Sequence, residues 1–75
     1  REEQLKELTA SEKDLFQYLE DGYKINQIAN IMFKAQNTLK QQVRSILKKL
    51  NVRSSKAAVK KVKFGGLYEE KNPPN

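Results

Sequence analysis

Residues 36 to 50 read Gln-Asn-Thr-Leu-Lys-Gln-Gln-Val-Arg-Ser-Ile-Leu-Lys-Lys-Leu. At ~100° per residue, Leu39, Val43, Ile46, Leu47 and Leu50 fall within an arc about 100° wide, as a core-facing helical stripe should. Asn37, Lys40, Gln41, Arg44 and Lys48 fall within a second arc of similar width on the other side, which carries only amides and cations. A helix built this way gives one face to a core and leaves the other for water or a partner.

Working outward, a shorter helix is expected over about 26–32, with Ile28, Ala29 and Met32 on one face and Asn26 or Lys24 near its start. Between the two helices stand only Phe33, Lys34 and Ala35, about the length of the turn in a helix-turn-helix. Upstream, Thr9 followed three residues on by Glu12 is a capping-box pattern that opens a helix over about 10–20. Leu8 is placed to act as its hydrophobic staple, Leu15, Phe16 and Leu19 form its apolar stripe, and Asp21-Gly22 ends it. Downstream, Asn51 ends the long helix, Val52 returns to the core, and Ser54 or Ser55 caps a last helix over about 55–63. The expected fold is all-α, a four-helix domain over residues 8–64 containing a helix-turn-helix. Residues 1–7 read as a linker remnant and 65–75, with Gly65-Gly66 and Pro73-Pro74, as a flexible tail.

The chain has 75 residues and contains no Cys, His or Trp, which excludes a disulfide framework and the usual zinc sites. No catalytic constellation is present: seven of the nine carboxylates lie within residues 1–21, in and around the first predicted helix, and Gly65-Gly66 is a helix stop with no phosphate-cradle context. Neither enzyme activity nor a cofactor is expected. Fifteen Lys and Arg against nine Asp and Glu give +6, but residues 22–68 hold eleven basic side chains and no acidic one. Such a stretch forgoes every local Lys/Glu pair and tolerates self-repulsion, which points to a polyanionic partner. With neither a signal peptide nor an 18-residue apolar run, the segment reads as cytoplasmic, with no membrane partner.

Leu8-Thr9-x-x-Glu12, Leu15-Phe16, Gly22, Ile28-Ala29, Thr38-Leu39-Lys40, Ile46, Lys49-Leu50-x-Val52 and Ala58-Val59 resemble, in order and spacing, the LuxR/GerE-type helix-turn-helix. That domain is the DNA-binding output part of NarL/FixJ-type response regulators. The resemblance implies a bacterial transcription regulator of a two-component system, located at the nucleoid, whose N-terminal receiver or signal-binding domain is missing here. The start at Arg1, without methionine, fits such a fragment. It also implies base-reading contacts at Lys40, Gln41 and Arg44, and a homodimer on DNA through the fourth predicted helix, with Ala58 and Val62 as the contact. The sequence departs from the family's usual residues at Lys24-Ile25 (Ser-Asn), Gln27 (Glu), Lys34-Ala35 (Ile-Ser), Gln42 (His) and Ser55 (Arg).

Chemistry supports the base-reading set independently, since Arg and Lys donate to guanine O6 and N7 and Gln pairs bidentately with adenine. Its bland counterpart is a solvated helix face, which would ordinarily include some Glu. Thr38, near the helix start, and Lys48, further along the same face, are phosphate candidates, as are Lys24, Lys34, Lys56 and Asn37. Lys60, Lys61 and Lys63 serve either phosphate contact or solubility. Phe16, Phe33 and Phe64 read as packing residues, and Tyr18, Tyr23 and Tyr68 as core edge or surface. The rivals are a sigma factor region-four-like promoter-binding domain, and a basic helical protein-interaction module or membrane-surface binder.

Overall fold

The computed structural model describes residues 2–65, which form five helices: α1 (Glu2–Leu5), α2 (Ala10–Glu20), α3 (Ile25–Met32), α4 (Gln36–Leu50) and α5 (Ser55–Phe64). The four predicted helices are α2 to α5, each within a residue of its expected bounds. The short α1 is an addition in the stretch read as a linker, and its Leu5 packs against the core. Residues 66–75, including Tyr68 and nearly all of the expected tail, lie outside the described residues.

Helix α4 is the hub, touching α2, α3 and α5, while α2 and α5 also meet. Its apolar stripe supplies Leu39 and Ile46, which join Leu15, Phe16 and Ile28 as fully buried side chains. Leu50, Val52, Ala57, Ala58 and Val62 complete the core, with Val43 and Leu47 packed at its edge.

The ends of the helices follow from local hydrogen bonding. The Thr9 amide donates to Glu12 Oε1 at 2.8 Å and the Glu12 amide to Thr9 Oγ1 at 3.1 Å, which is the reciprocal capping box. Leu8 does not staple the helix as expected. The partner position, four residues into the helix, is the exposed Lys13, so Leu8 inserts into the core instead. At the far end Gly22, at φ +89°, closes a Schellman motif in which the Gly22 and Tyr23 amides donate to the Leu19 and Tyr18 carbonyls. Lys24 is the N-cap of α3, ahead of Asn26, because its amide donates to Gln27 Oε1 at 2.9 Å. A lysine side chain has no acceptor, so only this half of a capping box exists there. Ser54 caps α5 by accepting from the Ala57 amide at 3.1 Å.

Two further reversals use non-glycine residues in the left-handed region, Phe33 at φ 55° and Asn51 at φ 58°. Asn51 ends α4 with the Val52 amide on the Leu47 carbonyl at 3.0 Å, dropping Val52 into the core. Phe33 ends α3 with the Lys34 amide on the Ala29 carbonyl at 3.0 Å. Phe33 is not a packing residue: it is 93% exposed, because a left-handed cap carries its side chain off the end of the helix stripe. Phe64 is half exposed, and only Phe16 of the three is in the core. A bulky residue in this conformation costs ~1–2 kcal/mol. With no burial to lose, Phe33→Gly is expected to stabilise the domain by up to about 1 kcal/mol once glycine's greater unfolded-chain entropy is subtracted. A rise in urea midpoint at unchanged m-value would show this, and a fall would mean that the aromatic ring packs in solution.

Candidate nucleic-acid interface

The face of α4 opposite its buried stripe carries Asn37, Thr38, Lys40, Gln41, Arg44 and Lys48, and all six are exposed. With 3.6 residues per turn, Lys40, Gln41 and Arg44 occupy the first two and a half turns and Lys48 the turn after. Ala35, at φ −67° and ψ 146°, stands in N-cap geometry but provides no side-chain cap. The helix nonetheless begins at Gln36, leaving its first amides among exposed residues where the positive end of the helix dipole favours an anion.

The orientation of α4 is fixed from behind. Glu12, only 4% exposed, receives Lys49 Nζ at 2.7 Å, tying the capping box of α2 to the last turns of α4. Burial alone would raise the Glu12 carboxyl. Hydrogen bonds from Lys49, the Thr9 amide and Ser45, together with the Lys49 charge, outweigh it and hold the group down at about 2. Lys61 Nζ donates to the Leu50 carbonyl at 2.7 Å, covering one of the acceptors that the end of α4 leaves open. Lys49 and Lys61 are therefore committed within the fold, a distinction that the count of basic residues conceals. The carboxylate opposite Lys49 was legible only as a cap; its second role follows from packing between residues 37 positions apart.

The remaining phosphate candidates differ in setting. Lys24 is exposed at the start of α3. Lys34 is half-buried, and its Nζ donates to Ser11 Oγ at 2.6 Å, a hydroxyl that Gln42 Nε2 also approaches at 3.2 Å. Lys34 is thus held by α2 beside the turn, with a hydrogen bond already made. Lys56 is exposed on α5, in a groove with Lys60 and Lys63 on the side of the α2 terminus.

The expected dimer contact needs correction. Ala58 and Val62 are 1% and 4% exposed, buried against the rest of the domain, so they offer nothing to a second copy. Their spacing places both on the inward side of α5 with Ala57, leaving half-buried Val59 and half-exposed Phe64 as the accessible apolar residues. Among the described residues, Tyr18 and Tyr23 pack edge to face with their ring centres 5.6 Å apart. Among the described residues no group of three or more His, Cys, Asp or Glu is placed to hold a metal ion, and no helix is long and apolar enough to cross a membrane.

This arrangement, a short helix, a three-residue turn and a long helix with an exposed polar face, accompanies a match of residues 6–62 to the family model described as bacterial regulatory proteins, luxR family. The chain belongs to that family. Membership identifies a helix-turn-helix domain of DNA-binding transcription regulators, with α3 and α4 as its two helices. Comparisons with curated proteins and with solved structures gave no significant match.

Proposed function

We propose that this luxR-family domain binds duplex DNA sequence-specifically, with α4 as the recognition helix in the major groove. The observation that carries the reading is the exposed polar face of α4, free of acidic residues and rigidly backed by the core. Lys40, Gln41 and Arg44 read base edges, while Thr38, Asn37 and the open amides at the start of α4 hold a phosphate. Lys48, Lys24, Lys34 and Lys56 supply further backbone contacts. Lys34 keeps its Ser11 bond while doing so, since an ammonium has three protons to donate. The parent protein is a bacterial response regulator of a two-component system acting at the nucleoid, with an N-terminal receiver or signal-binding domain. Residues 8–64 form its output domain.

The test separates base reading from phosphate anchoring. Arg44→Ala and Gln41→Ala are each expected to cost ~1–3 kcal/mol on a duplex selected from a random pool, with little loss on random duplex. Lys48→Ala is expected to weaken both duplexes alike. Fluorescence anisotropy on the two duplexes, with circular dichroism confirming each variant folded, measures the split. Equal losses from Arg44→Ala on both duplexes would make the domain a nonspecific polyanion binder.

A further inference from the structure

Among the described residues the exposed large hydrophobic side chains are Tyr23, Ile31, Phe33 and Phe64, and two of them stand together at the end of α3. Phe33 is the extreme case. It is 93% exposed and holds a left-handed backbone at φ 55° and ψ 46°, which disfavours an L side chain and suits glycine. The fold bears a backbone cost here and recovers no burial from it. Strain kept at an exposed position beside a partner-binding face points to a use outside the fold.

The position is also fixed. The Lys34 amide donates to the Ala29 carbonyl at 3.0 Å and Lys34 Nζ to Ser11 Oγ at 2.6 Å, so the residue after Phe33 is fastened to both α3 and α2. Phe33 lies three residues ahead of Gln36, which places its Cα within ~11 Å of the first residue of α4. A recognition helix enters the major groove by this end.

What an aromatic ring can touch there follows from the duplex. Base pairs line the major groove with hydrogen-bonding edges, and the one alkyl group among them is the thymine C5-methyl, for which phenylalanine is a suitable apolar counterpart. The exposed face of α4 offers amides, cations and the Thr38 hydroxyl, which suit guanine, adenine and phosphate but supply no large apolar surface. No acidic residue in 22–68 repels the DNA backbone beside the ring.

We propose that Phe33 is a specificity-determining residue whose ring packs on the methyl group of a thymine, at the edge of the base pairs met by the start of α4. Such a contact rests on the reading of α4 as the helix in the major groove. It gives a reason for phenylalanine in a turn that glycine would stabilise: fold stability is given up for a contact made only on DNA.

The experiment takes a duplex selected from a random pool by the 75-residue chain and replaces its thymines with uracil one at a time, which removes only the methyl. One replacement is expected to weaken binding about fourfold, the factor that burying a methyl group supplies. Phe33→Gly and Phe33→Ala are expected to lose at least that factor on the thymine duplex and to bind the thymine and uracil forms of that position equally. Because Phe33→Gly relieves the backbone, its lost affinity is not lost folding. Unchanged affinity in Phe33→Gly, while Arg44→Ala still discriminates between selected and random duplex, would overturn the thymine contact alone and leave the ring to a protein partner. A uracil effect that persists in Phe33→Gly would assign the methyl to another residue and overturn it too. So would a wild type indifferent to every replacement, which would set the ring on the sugar-phosphate backbone, or selected duplexes without an enriched thymine. Equal losses from Arg44→Ala on both duplexes would remove the reading of α4 and the contact with it.

Discussion

Glu12→Ala is expected to destabilise the domain by about 3 kcal/mol, a large part of the ~4–11 kcal/mol that a chain of this size holds. The residue does two jobs with one carboxylate. It accepts the Thr9 amide, closing the start of α2, and it neutralises Lys49, anchoring α4. Breaking a buried ion pair from one side commonly costs ~3–5 kcal/mol; the lower end applies because the Lys49 side chain is 33% exposed and rehydrates. Glu12→Gln retains an acceptor for Thr9 and loses only the charge, so it should be the milder change.

The same group sets an acid limit. Its folded pKa, about 2, lies below the ordinary value of 4.5, so the folded state favours the carboxylate. That stability is fully present above pH 4.5 and is lost as the pH falls towards 2. At ~1.36 kcal/mol per pH unit the gap amounts to about 3 kcal/mol. Urea titrations at pH 6 and pH 3 should show the wild type losing much of this increment and Glu12→Gln losing little. A wild type and variant that weaken in parallel on acidification would place the acid sensitivity elsewhere.

The contrast between Glu12 and its surroundings shows what the sequence reveals. Periodicity settles α4 because fifteen residues carry two opposed stripes, and Thr9-x-x-Glu12 marks the start of α2 because a capping box is local. Both features are decided within a few turns of chain. Phe33 is misread as core because hydrophobicity does not disclose that the residue caps a helix in the left-handed region. Ala58 and Val62 are misassigned to a dimer face for a related reason. Helix α5 has apolar residues around much of its circumference, and only its docking on α2 and α4 decides which of them turn inward. The helix α1 lacks a periodic signal because four residues are little more than one turn. The exposed face of α4 was readable in full, whereas the separation of free from committed lysines required the tertiary contacts of Lys34, Lys49 and Lys61.

That separation governs how DNA binding should respond to salt. Residues 22–68 contain eleven basic side chains, but Lys49 and Lys61 are turned inward to Glu12 and to the Leu50 carbonyl. The proposed backbone contacts are Lys24, Lys34, Lys48 and Lys56, with the Thr38 and Asn37 phosphate site, and Lys40 and Arg44 add their charge on the base-reading face. Covering ~4–6 phosphates gives a slope of roughly −4 to −5 for log affinity against log salt, so a fourfold rise in salt should weaken binding about 250- to 1000-fold. Two neighbouring lysines then separate this account from simple charge counting. Lys48→Ala removes a phosphate contact and should reduce the slope by about one. Lys49→Gln removes an equal charge one residue along, but that ammonium is held 2.7 Å from Glu12, so the slope should stay unchanged although the fold is weakened. Anisotropy titrations over a tenfold salt range, on variants verified as folded, measure both. Equal slope changes from the two substitutions would mean that the domain binds by its total charge and not by the face of α4.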